Sequence, residues 1–508
     1  MLRFLALSAV LSGCGWNHLP GIGNSKWLDR PLWDPTGVVA TTDGVYVPLP
    51  RTGQLAFVGT DGSASAVDLR PGIVSELVPA PDPSQTVAFV QQQGCPLDGP
   101  AECDPKNWVV NTQVALLASG GVDETVDVPG AFNSIDFSND GTWAIAWLDL
   151  NKQAQVNGVV SLSSVVALDL TTGEATTVNV GFSAERVLFT DDDTRAVVLS
   201  QNQVAVVDLT ASPPARSVTF PLVLDPNQTV VPVGVTLTPD GSHALISVQG
   251  SSDLYVLDLD NPSVNLVTLD AAPSAMVVDG GSDQTVITFA SAPYVDFVEH
   301  QFFDVTSMDL AEPMSQILHA DGTALLWNQG NGHTAYRLDV ASHDLLQYRL
   351  QNPAVQMFLA PTEEYAVALT RPEGGAATGA AGLYDTSPGL EVLDLRTDHS
   401  ETLPYLLEGQ GIGAAFVATD TSLTALVLQQ GIDYLYAMDL YTNQAQRIDL
   451  DAPPIAIGTV PGGPFYITND DGTGMISFYD PQTGQITEAA GFATQGALNG
   501  RPFDPEAY

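Results

Sequence analysis

The residues of this chain best suited to chemistry lie close together between positions 290 and 304. Tyr294, Asp296, Glu299 and His300 place a phenol, two carboxyls and an imidazole in one short segment. Groups of these types ligate metal ions or act as general acids and bases. A lone histidine in a surface loop is commonly only solvated. We therefore take these four as candidate ligand-binding residues and assign no catalytic residue.

A further candidate ligand-binding residue is Arg371, which begins the stretch Arg-Pro-Glu-Gly-Gly at 371–375. The Ala and Gly residues that follow predict either a mobile flap over a ligand or a loose loop without a function. We predict no cofactor. Two oxygen-rich turns, at 191–193 and 469–472, leave calcium as the alternative, although neither has EF-hand spacing. The identity of any other metal stays open.

Several catalytic signatures are missing from the chain. It has no Gly-Lys-Ser/Thr phosphate loop, no Gly-x-Ser-x-Gly nucleophile elbow, no His-Glu-x-x-His and no Cys-x-x-Cys-His. Their absence argues against several classes of NTPase, hydrolase and haem protein.

Two recurring sequence motifs, which we call phrases, indicate the elements that must position these residues. The first is an apolar run ending in Leu-Asp-Leu, as at 168–170, 257–259 and 393–395. The second, Thr-Pro-Asp-Gly-Ser at 238–242, is repeated in weaker form elsewhere. Short β-branched runs separated by such turns predict β-hairpins. We expect the recurring aspartates to cap turns through backbone amides, since so many near-identical copies cannot form one active site.

Together the phrases define a unit of four antiparallel strands that recurs about ten times. Repeats of 40 to 55 residues with this pattern are typical of propeller blades, whose sheets are apolar on both faces and pack against their neighbours. We favour ten units in one continuous assembly, because no linker interrupts them; seven or eight blades, or two rings, are the alternatives. The units begin near Val39, Leu77, Ser134, Arg186, Val233, Ala275, Gln316, Gln356, Ala414 and Ala456.

The paired phrases resemble those of the bacterial YVTN/WD40-like β-propellers over residues 36–490, leaving 491–508 as a C-terminal tail. The resemblance implies an all-β propeller and no particular activity. The Gly-His and Trp-Asp signatures of eukaryotic WD40 repeats do not recur with the units, since each dipeptide occurs only once in the chain.

Four long segments interrupt the repeats, at 91–107, 149–161, 290–304 and 371–389. We predict that all four connect the second and third strands of their units. Such connections emerge on one face of a propeller, where insertions often build a binding surface. Harmless variation in surface loops is the alternative.

The N-terminus predicts export and anchoring. Residues 1–13 have one basic residue, a short apolar run and small residues, which is typical of a signal peptide. The quartet Leu-Ser-Gly-Cys at 11–14 resembles the lipobox of bacterial lipoproteins, which implies lipidation of Cys14 and a tether over 14–35. In enteric bacteria an Asp after the lipidated cysteine favours retention in the inner membrane; because Gly15 stands at that position here, the resemblance implies the outer membrane. An ordinary signal with a chance cysteine, or a buried helix, is the alternative.

The two other cysteines, Cys95 and Cys103, flank a Pro- and Gly-containing loop. In an exported protein this spacing predicts a local disulfide. A zinc site would need two more ligands, and histidine is sparse nearby.

The chain is strongly acidic, with 16 basic and 59 acidic residues and a net charge of −43. Such a charge repels nucleic acids, which we exclude as partners. The acids are spread along the chain, so solubility, also in a salty habitat, is the simpler interpretation. The other interpretation of the acidic charge is that it recruits cations or a basic partner.

These observations predict a cell-envelope lipoprotein whose propeller is a scaffold for a protein or another ligand, and an enzyme is less favoured. One alternative is a metal-dependent, lactonase-like hydrolase with ligands from several blades. Another is a carbohydrate-binding or adhesion protein. The expected partners are the membrane, through the lipid, and a protein or glycan at the face that carries the insertions.

Overall fold

A computed structural model describes residues 31–50, 52–69, 72–95, 104, 109–150, 152, 162–223, 230–320, 322–330, 332–373, 383, 385–396 and 400–494. The predicted signal peptide, Cys14 and Cys103 lie outside the described residues. The lipidation and the Cys95–Cys103 disulfide therefore stay predictions.

The first five sheets have the following strands. Sheet 1 contains β1 (Val39–Thr41), β2 (Gly44–Leu49), β3 (Gln54–Gly59) and β4 (Ala64–Val67). Sheet 2 contains β5 (Ile73–Pro79), β6 (Gln85–Gly94), β7 (Val109–Ala118) and β8 (Gly121–Val128). Sheet 3 contains β9 (Ser134–Phe137), β10 (Trp143–Trp147), β11 (Ser164–Asp169) and β12 (Glu174–Asn179). Sheet 4 contains β13 (Ala184–Phe189), β14 (Arg195–Ser200), β15 (Gln203–Asp208) and β16 (Ala215–Pro221). Sheet 5 contains β17 (Pro232–Leu237), β18 (His243–Val248), β19 (Asp253–Asp258) and β20 (Ser263–Thr268).

The other five sheets follow the same plan. Sheet 6 contains β21 (Ala275–Asp279), β22 (Gln284–Thr288), β23 (Tyr294–Glu299) and β24 (Val305–Asp309). Sheet 7 contains β25 (Gln316–Ala320), β26 (Thr323–Trp327), β27 (Thr334–Asp339) and β28 (Leu345–Arg349). Sheet 8 contains β29 (Ala354–Leu359), β30 (Tyr365–Thr370), β31 (Gly389–Asp394) and β32 (Thr402–Leu406). Sheet 9 contains β33 (Gly411–Ala418), β34 (Leu423–Gln429), β35 (Tyr434–Asp439) and β36 (Gln444–Asp449). Sheet 10 contains β37 (Pro454–Thr459), β38 (Phe465–Asn469), β39 (Met475–Asp480) and β40 (Gln485–Ala490), and a short 3₁₀ helix follows at Phe492–Thr494.

Ten four-stranded antiparallel sheets in chain order define a β-propeller fold, so the predicted fold class is confirmed. The count of ten is also confirmed, because each predicted start falls inside the first strand of a sheet. The alternative of seven or eight blades is wrong.

Successive antiparallel strands give each sheet two different edges. The second-to-third connection and the passage to the next sheet lie at one edge, which we call the connection edge. The two tight hairpin turns lie at the other, the turn edge. A propeller therefore presents all its long connections on the same side of each sheet.

The recurring aspartates cap turns at the turn edge, as predicted. In the first-to-second turn of sheet 5, Asp240 accepts hydrogen bonds from the hydroxyls of Thr238 (2.6 Å) and Ser242 (2.8 Å) and from the Ser242 amide (3.0 Å). Gly241 has a φ of +66°, a conformation that glycine adopts without strain. In the third-to-fourth turn of sheet 3, Asp169 accepts the amide of Thr171 at 2.8 Å.

Burial changes regularly across each sheet. The second and third strands supply the core; Val197 and Val206 of sheet 4, for example, are fully buried. The fourth strands are mostly exposed, as in the pattern of β20. First strands of consecutive sheets contact each other, as β17 with β21 and β21 with β25 do. The first strand is thus innermost and the fourth outermost.

The chain divides into two compact units. The first comprises Met1–Ala184, Val460–Asp480 and Gly484–Tyr508, and thus contains sheets 1 to 3 and β38 to β40. Within it, sheet 1 packs against β39, as Val47 and Ala56 share a cluster with Ile476 and Phe478. The second comprises Glu185–Thr459 and Pro481–Thr483, and thus contains nearly all of sheets 4 to 9.

Three of the four predicted insertions connect a second to a third strand, as expected. They follow β6, β10 and β30, although few of their residues are described. The prediction for 290–304 is wrong, because Tyr294–Glu299 is strand β23 itself and only short connections flank it. Its β-branched and aromatic residues favour a strand, and the charges of Asp296 and Glu299 had obscured that pattern.

Candidate functional site

The candidate site lies in the second unit, at the connection edge of sheets 7, 8 and 9. Its described residues belong to three segments: 328–330 and 332–333 after β26, 371–373, 383 and 385–388 after β30, and the linker 407–410 between sheets 8 and 9. The first two follow the buried strands β26 and β30, which is a common setting for binding residues.

An imidazole–carboxylate contact joins the connections of sheets 7 and 8. His333 Nε2 lies 2.8 Å from Glu373 Oε1, with 35% of the histidine side chain and 56% of the glutamate side chain exposed. Burial lowers the pKa of His333, but the hydrogen bond with Glu373 and the charge of that carboxylate raise it further, so the net shift is upward. The pair therefore favours the charged imidazolium.

Arg371, a predicted ligand-binding residue, lies beside this pair. Its guanidinium donates to the carbonyl oxygen of Gly330, and its amide donates to that of Pro353 at 3.1 Å. The amide of Gly330 donates in turn to Ala354 at 2.7 Å. Arg371 thus links the connections of two sheets, and its exposed side chain remains open to solvent.

Glu391 lies beneath the edge, with 1% of its surface exposed. It accepts hydrogen bonds from the amides of Gln351 (2.8 Å) and Asn352 (3.3 Å) and from the hydroxyl of Thr402 (2.9 Å). Burial raises its pKa, although these hydrogen bonds oppose the shift. Because its oxygens already satisfy the linker between sheets 7 and 8, Glu391 acts as a structural cap.

The linker between sheets 8 and 9 has an equivalent cap. The side-chain oxygen of buried Gln429 accepts the amides of Glu408 (3.0 Å) and Gly409 (3.1 Å). A Cβ on Gly409 would lie 2.7 Å from the carbonyl oxygen of Gln430, so the close packing of this linker requires glycine. Gln410 donates to the Thr370 carbonyl oxygen at 3.3 Å. The linker is therefore held in one conformation.

Five of the nine large exposed apolar side chains among the described residues of the second unit lie at connection edges. Leu383, Leu406 and Ile412 are 57%, 40% and 42% exposed at sheets 8 and 9. At the connection edge of sheet 5, Val231 and Val233 are 42% and 53% exposed. Among the described residues of this unit, the other large exposed apolar side chains are on outer strands or, for Phe302, at the turn edge: Val264, Leu266, Phe302 and Leu403.

The four candidates at 294–300 do not form one site. Tyr294 and Glu299 occupy opposite ends of β23, about 17 Å apart at the rise of a β-strand. Glu299 caps the next turn, accepting the amides of Gln301 and Phe302 at 3.0 Å each. His300 is 7% exposed and bonds Asp283 at 2.9 Å.

Asp296 is the most unusual of the four. It is 1% exposed and accepts a 2.6 Å hydrogen bond from Ser307. Burial raises its pKa, and the nearby charge of Asp270 acts in the same direction, while the Ser307 hydrogen bond opposes them. The hydroxyl of Tyr294 is buried without a hydrogen-bond partner in the described part of the chain.

Sequence reasoning missed His333, Glu391 and the apolar pair Leu406 and Ile412. A signal for His333 existed, because second-to-third connections of adjacent sheets must meet at one edge. His333 ends one such connection and Arg371 begins the next. Glu391 lies inside the predicted Asp-Leu phrase at a position that is apolar in other copies, as Val166 shows.

Within the described ranges, no group of three or more His, Cys, Asp or Glu side chains is arranged to hold a metal ion. The same ranges contain no helix long and apolar enough to cross a bilayer. The arrangement at sheets 7 to 9 can bind a partner through charge, hydrogen bonds and apolar contact. Its imidazole, that of His333, is engaged with Glu373, while the carboxylate of Glu408 is exposed.

No protein-family model matches the chain, and no curated protein is significantly similar to it. Among solved structures, it is similar to hydrazine synthase of Kuenenia stuttgartiensis, with 11% identity, a TM-score of 0.34 and coverage of 60% of this chain and 94% of that chain. The dihydro-heme d1 dehydrogenase NirN has 13% identity and a TM-score of 0.39, with coverage of 65% and 71%. The WD40 repeats of RRP9 have 10% identity and a TM-score of 0.33, with coverage of 56% and 86%. Such likenesses say nothing about ligands or activity.

Proposed function

We propose that this chain is a lipid-anchored binding scaffold of the bacterial cell envelope, related to the YVTN-type propellers. Its ligand is another protein, bound at the connection edge of sheets 7 to 9. The observation that carries the proposal is the combination, at that edge, of cross-sheet contacts by Arg371 and Glu373 with exposed Leu406 and Ile412.

The physical reasoning rests on order and composition. A rigid frame lowers the entropy lost on binding, and Gln429 holds the linker that separates Leu406 from Ile412. Protein interfaces combine an apolar centre with a polar rim, and this edge offers both. His333 and Glu373 contact each other, and Glu391 accepts backbone amides, which favours recognition over catalysis.

The anchor is the second part of the proposal. The lipobox-like quartet supports lipidation of Cys14, and one acyl-modified terminus would leave the propeller outside the bilayer. In cells, Cys14→Ala should move the protein from the membrane fraction to the soluble fraction. Unchanged sedimentation with membranes would refute the lipoprotein assignment.

Site-specific photo-crosslinking in the native host tests the binding edge. A photoreactive amino acid replaces exposed Pro372 at the connection edge or, as the matched control, exposed Thr442 at the turn edge of sheet 9. We expect a discrete crosslinked species from position 372 and none from position 442. Equal crosslinking from both, or none from 372 at normal protein levels, would contradict the proposal.

A further inference from the structure

The proposed binding edge also indicates what kind of segment it recognises. We propose that the connection edge of sheets 8 and 9 binds a polypeptide segment that carries both basic and apolar side chains. This inference rests on the proposed function and specifies its partner.

The apolar part of the surface comes from the two ends of the linker that runs from the outermost strand of sheet 8 to the innermost strand of sheet 9. Leu406 is the last residue of β32, and Ile412 is the second residue of β33, six positions later in the chain. The buried residues Leu369, Leu390 and Leu407 belong to the cluster in which sheets 8 and 9 pack. The linker between the exposed pair packs on this cluster through Leu407 and Gly411, so a partner's aliphatic side chain would lose water contact there at low entropic cost.

The backbone between the pair is fixed from both sides. Gln429 accepts the amides of Glu408 and Gly409, while the Gln410 carbonyl accepts the Gln430 amide at 2.8 Å. A Cβ on Gly411 would lie 2.9 Å from a methyl carbon of Leu369. Leu406, Glu408 and Ile412 are thus presented from one preorganised segment.

The charge at this surface is acidic on balance, and the exposed guanidinium of Arg371, which donates to the Gly330 carbonyl, lies at the same edge. Glu408, between the apolar residues, and Asp433, after β34, are both exposed. The nearby cation Arg447 is already compensated, since its Nε lies 2.6 Å from Asp449 Oδ1 and its guanidinium lies 3.8 Å from the centre of the Tyr434 ring. A segment with Lys or Arg beside its apolar residues would match this pattern, whereas an acidic one would be repelled.

The test uses three fluorescein-labelled 12-residue peptides, formed by four repeats of Leu-Lys-Gly, Leu-Glu-Gly or Ser-Lys-Gly. Fluorescence anisotropy in 150 mM NaCl measures their binding to the full-length protein. We expect the Leu-Lys peptide to bind, the Leu-Glu peptide not to bind, and the Ser-Lys peptide to bind at least about tenfold more weakly. Loss of contact area explains the last result, because that peptide keeps only the charge.

Protein variants then locate the site, since a chain with net charge −43 attracts cations everywhere. The double variant Leu406→Ser/Ile412→Ser and the single variant Glu408→Lys should each weaken binding of the Leu-Lys peptide about tenfold. Leu266→Ser on outer strand β20 and Phe302→Ser at the turn edge, which alter side chains that are 57% and 71% exposed, are the matched controls and should leave binding unchanged. Circular dichroism confirms that all variants are folded.

Equal binding by the edge variants and the controls would overturn the inference, because attachment would then be non-specific. Failure of this inference differs from failure of the proposed function. If a partner crosslinks through position 372 by a segment that is neither basic nor apolar, this inference fails and the proposed function stands. If the peptide binds specifically but position 372 gives no crosslink in cells, the proposed function fails and the peptide preference of the edge stands.

Discussion

At the scale of single residues, aspartates at equivalent positions of several sheets cap a turn through the same hydrogen bonds. Asp240 shows how, since three donors converge on it in a turn of five residues. Burial raises the pKa of Asp240, but the hydrogen bonds from Thr238 and Ser242 outweigh it and lower the pKa to about 2. The charged form thus stabilises the turn.

The depressed pKa of Asp240 sets the pH window of a first prediction. Its contribution is present above the unfolded pKa of about 4 and is lost as the pH falls towards 2. Asp240→Asn should lower the free energy of unfolding by about 1 kcal/mol at pH 7, and the difference from the wild type should vanish near pH 2. Urea unfolding followed by circular dichroism measures both. Substituting exposed Asp191 by Asn is the control and should have a smaller effect.

The contribution of Glu391 to stability has the opposite pH dependence. Burial raises its pKa, so the folded protein holds this proton more tightly, and its contribution decreases as the pH rises above the unfolded value of about 4.3. Glu391→Leu leaves the amides of Gln351 and Asn352 without their acceptor and should cost about 2 kcal/mol. Glu391→Gln keeps a carbonyl acceptor and should cost little at pH 7.5. Equal thermal unfolding of the two variants would refute the capping role.

At the scale of elements, the His333–Glu373 contact ties the connection of sheet 8 to sheet 7. The pKa of His333 is raised, so its contribution is complete below about pH 6.5 and is lost as the pH rises through the folded value. Amide hydrogen exchange at 366–373, corrected for intrinsic rates, should therefore be slower relative to the unfolded chain at pH 6 than at pH 8. Glu373→Gln should remove that difference. The control is exchange in β18, whose pH dependence Glu373→Gln should not change.

The same contact shows how far the sequence could be interpreted. Strands and turns were predictable because Thr-Pro-Asp-Gly-Ser and Leu-Asp-Leu are local signals of hairpin geometry. The meeting of His333 and Glu373 was not, since 40 positions separate them and only the packing of sheets 7 and 8 brings them together. Asp296 misled because its charge makes its own segment look polar, whereas the residue is buried in a strand and bonded to Ser307 of the adjacent strand.

At the scale of the whole molecule, the first and last described segments of the chain pack together in the first unit. Trp33 is 4% exposed, donates its indole N–H to the Asp471 carbonyl at 2.7 Å and meets Phe492 edge-on at 5.5 Å. Trp33→Ala should lower the stability of this unit by about 3 kcal/mol through lost packing, and Trp33→Phe by less. Thermal unfolding monitored by circular dichroism measures both, and equal midpoints for the two variants would contradict the packing argument.

The net charge of −43 has a consequence for the entire chain. Self-repulsion among so many carboxylates opposes compaction, and salt weakens it because the Debye length falls from about 30 Å at 0.01 M to about 3 Å at 1 M. The melting temperature should therefore rise by several degrees between 0.01 and 0.5 M NaCl.

Calcium separates general screening from specific binding in the same experiment. CaCl₂ and NaCl at matched ionic strength should differ only modestly if carboxylates are merely screened. An additional stabilisation that saturates at micromolar Ca²⁺ would instead follow the mass-action law of a specific site. It would revive the oxygen-rich turns at 191–193 and 469–472 as candidate ligands, and with them the metal-dependent alternative. A melting temperature independent of NaCl would refute the self-repulsion argument itself.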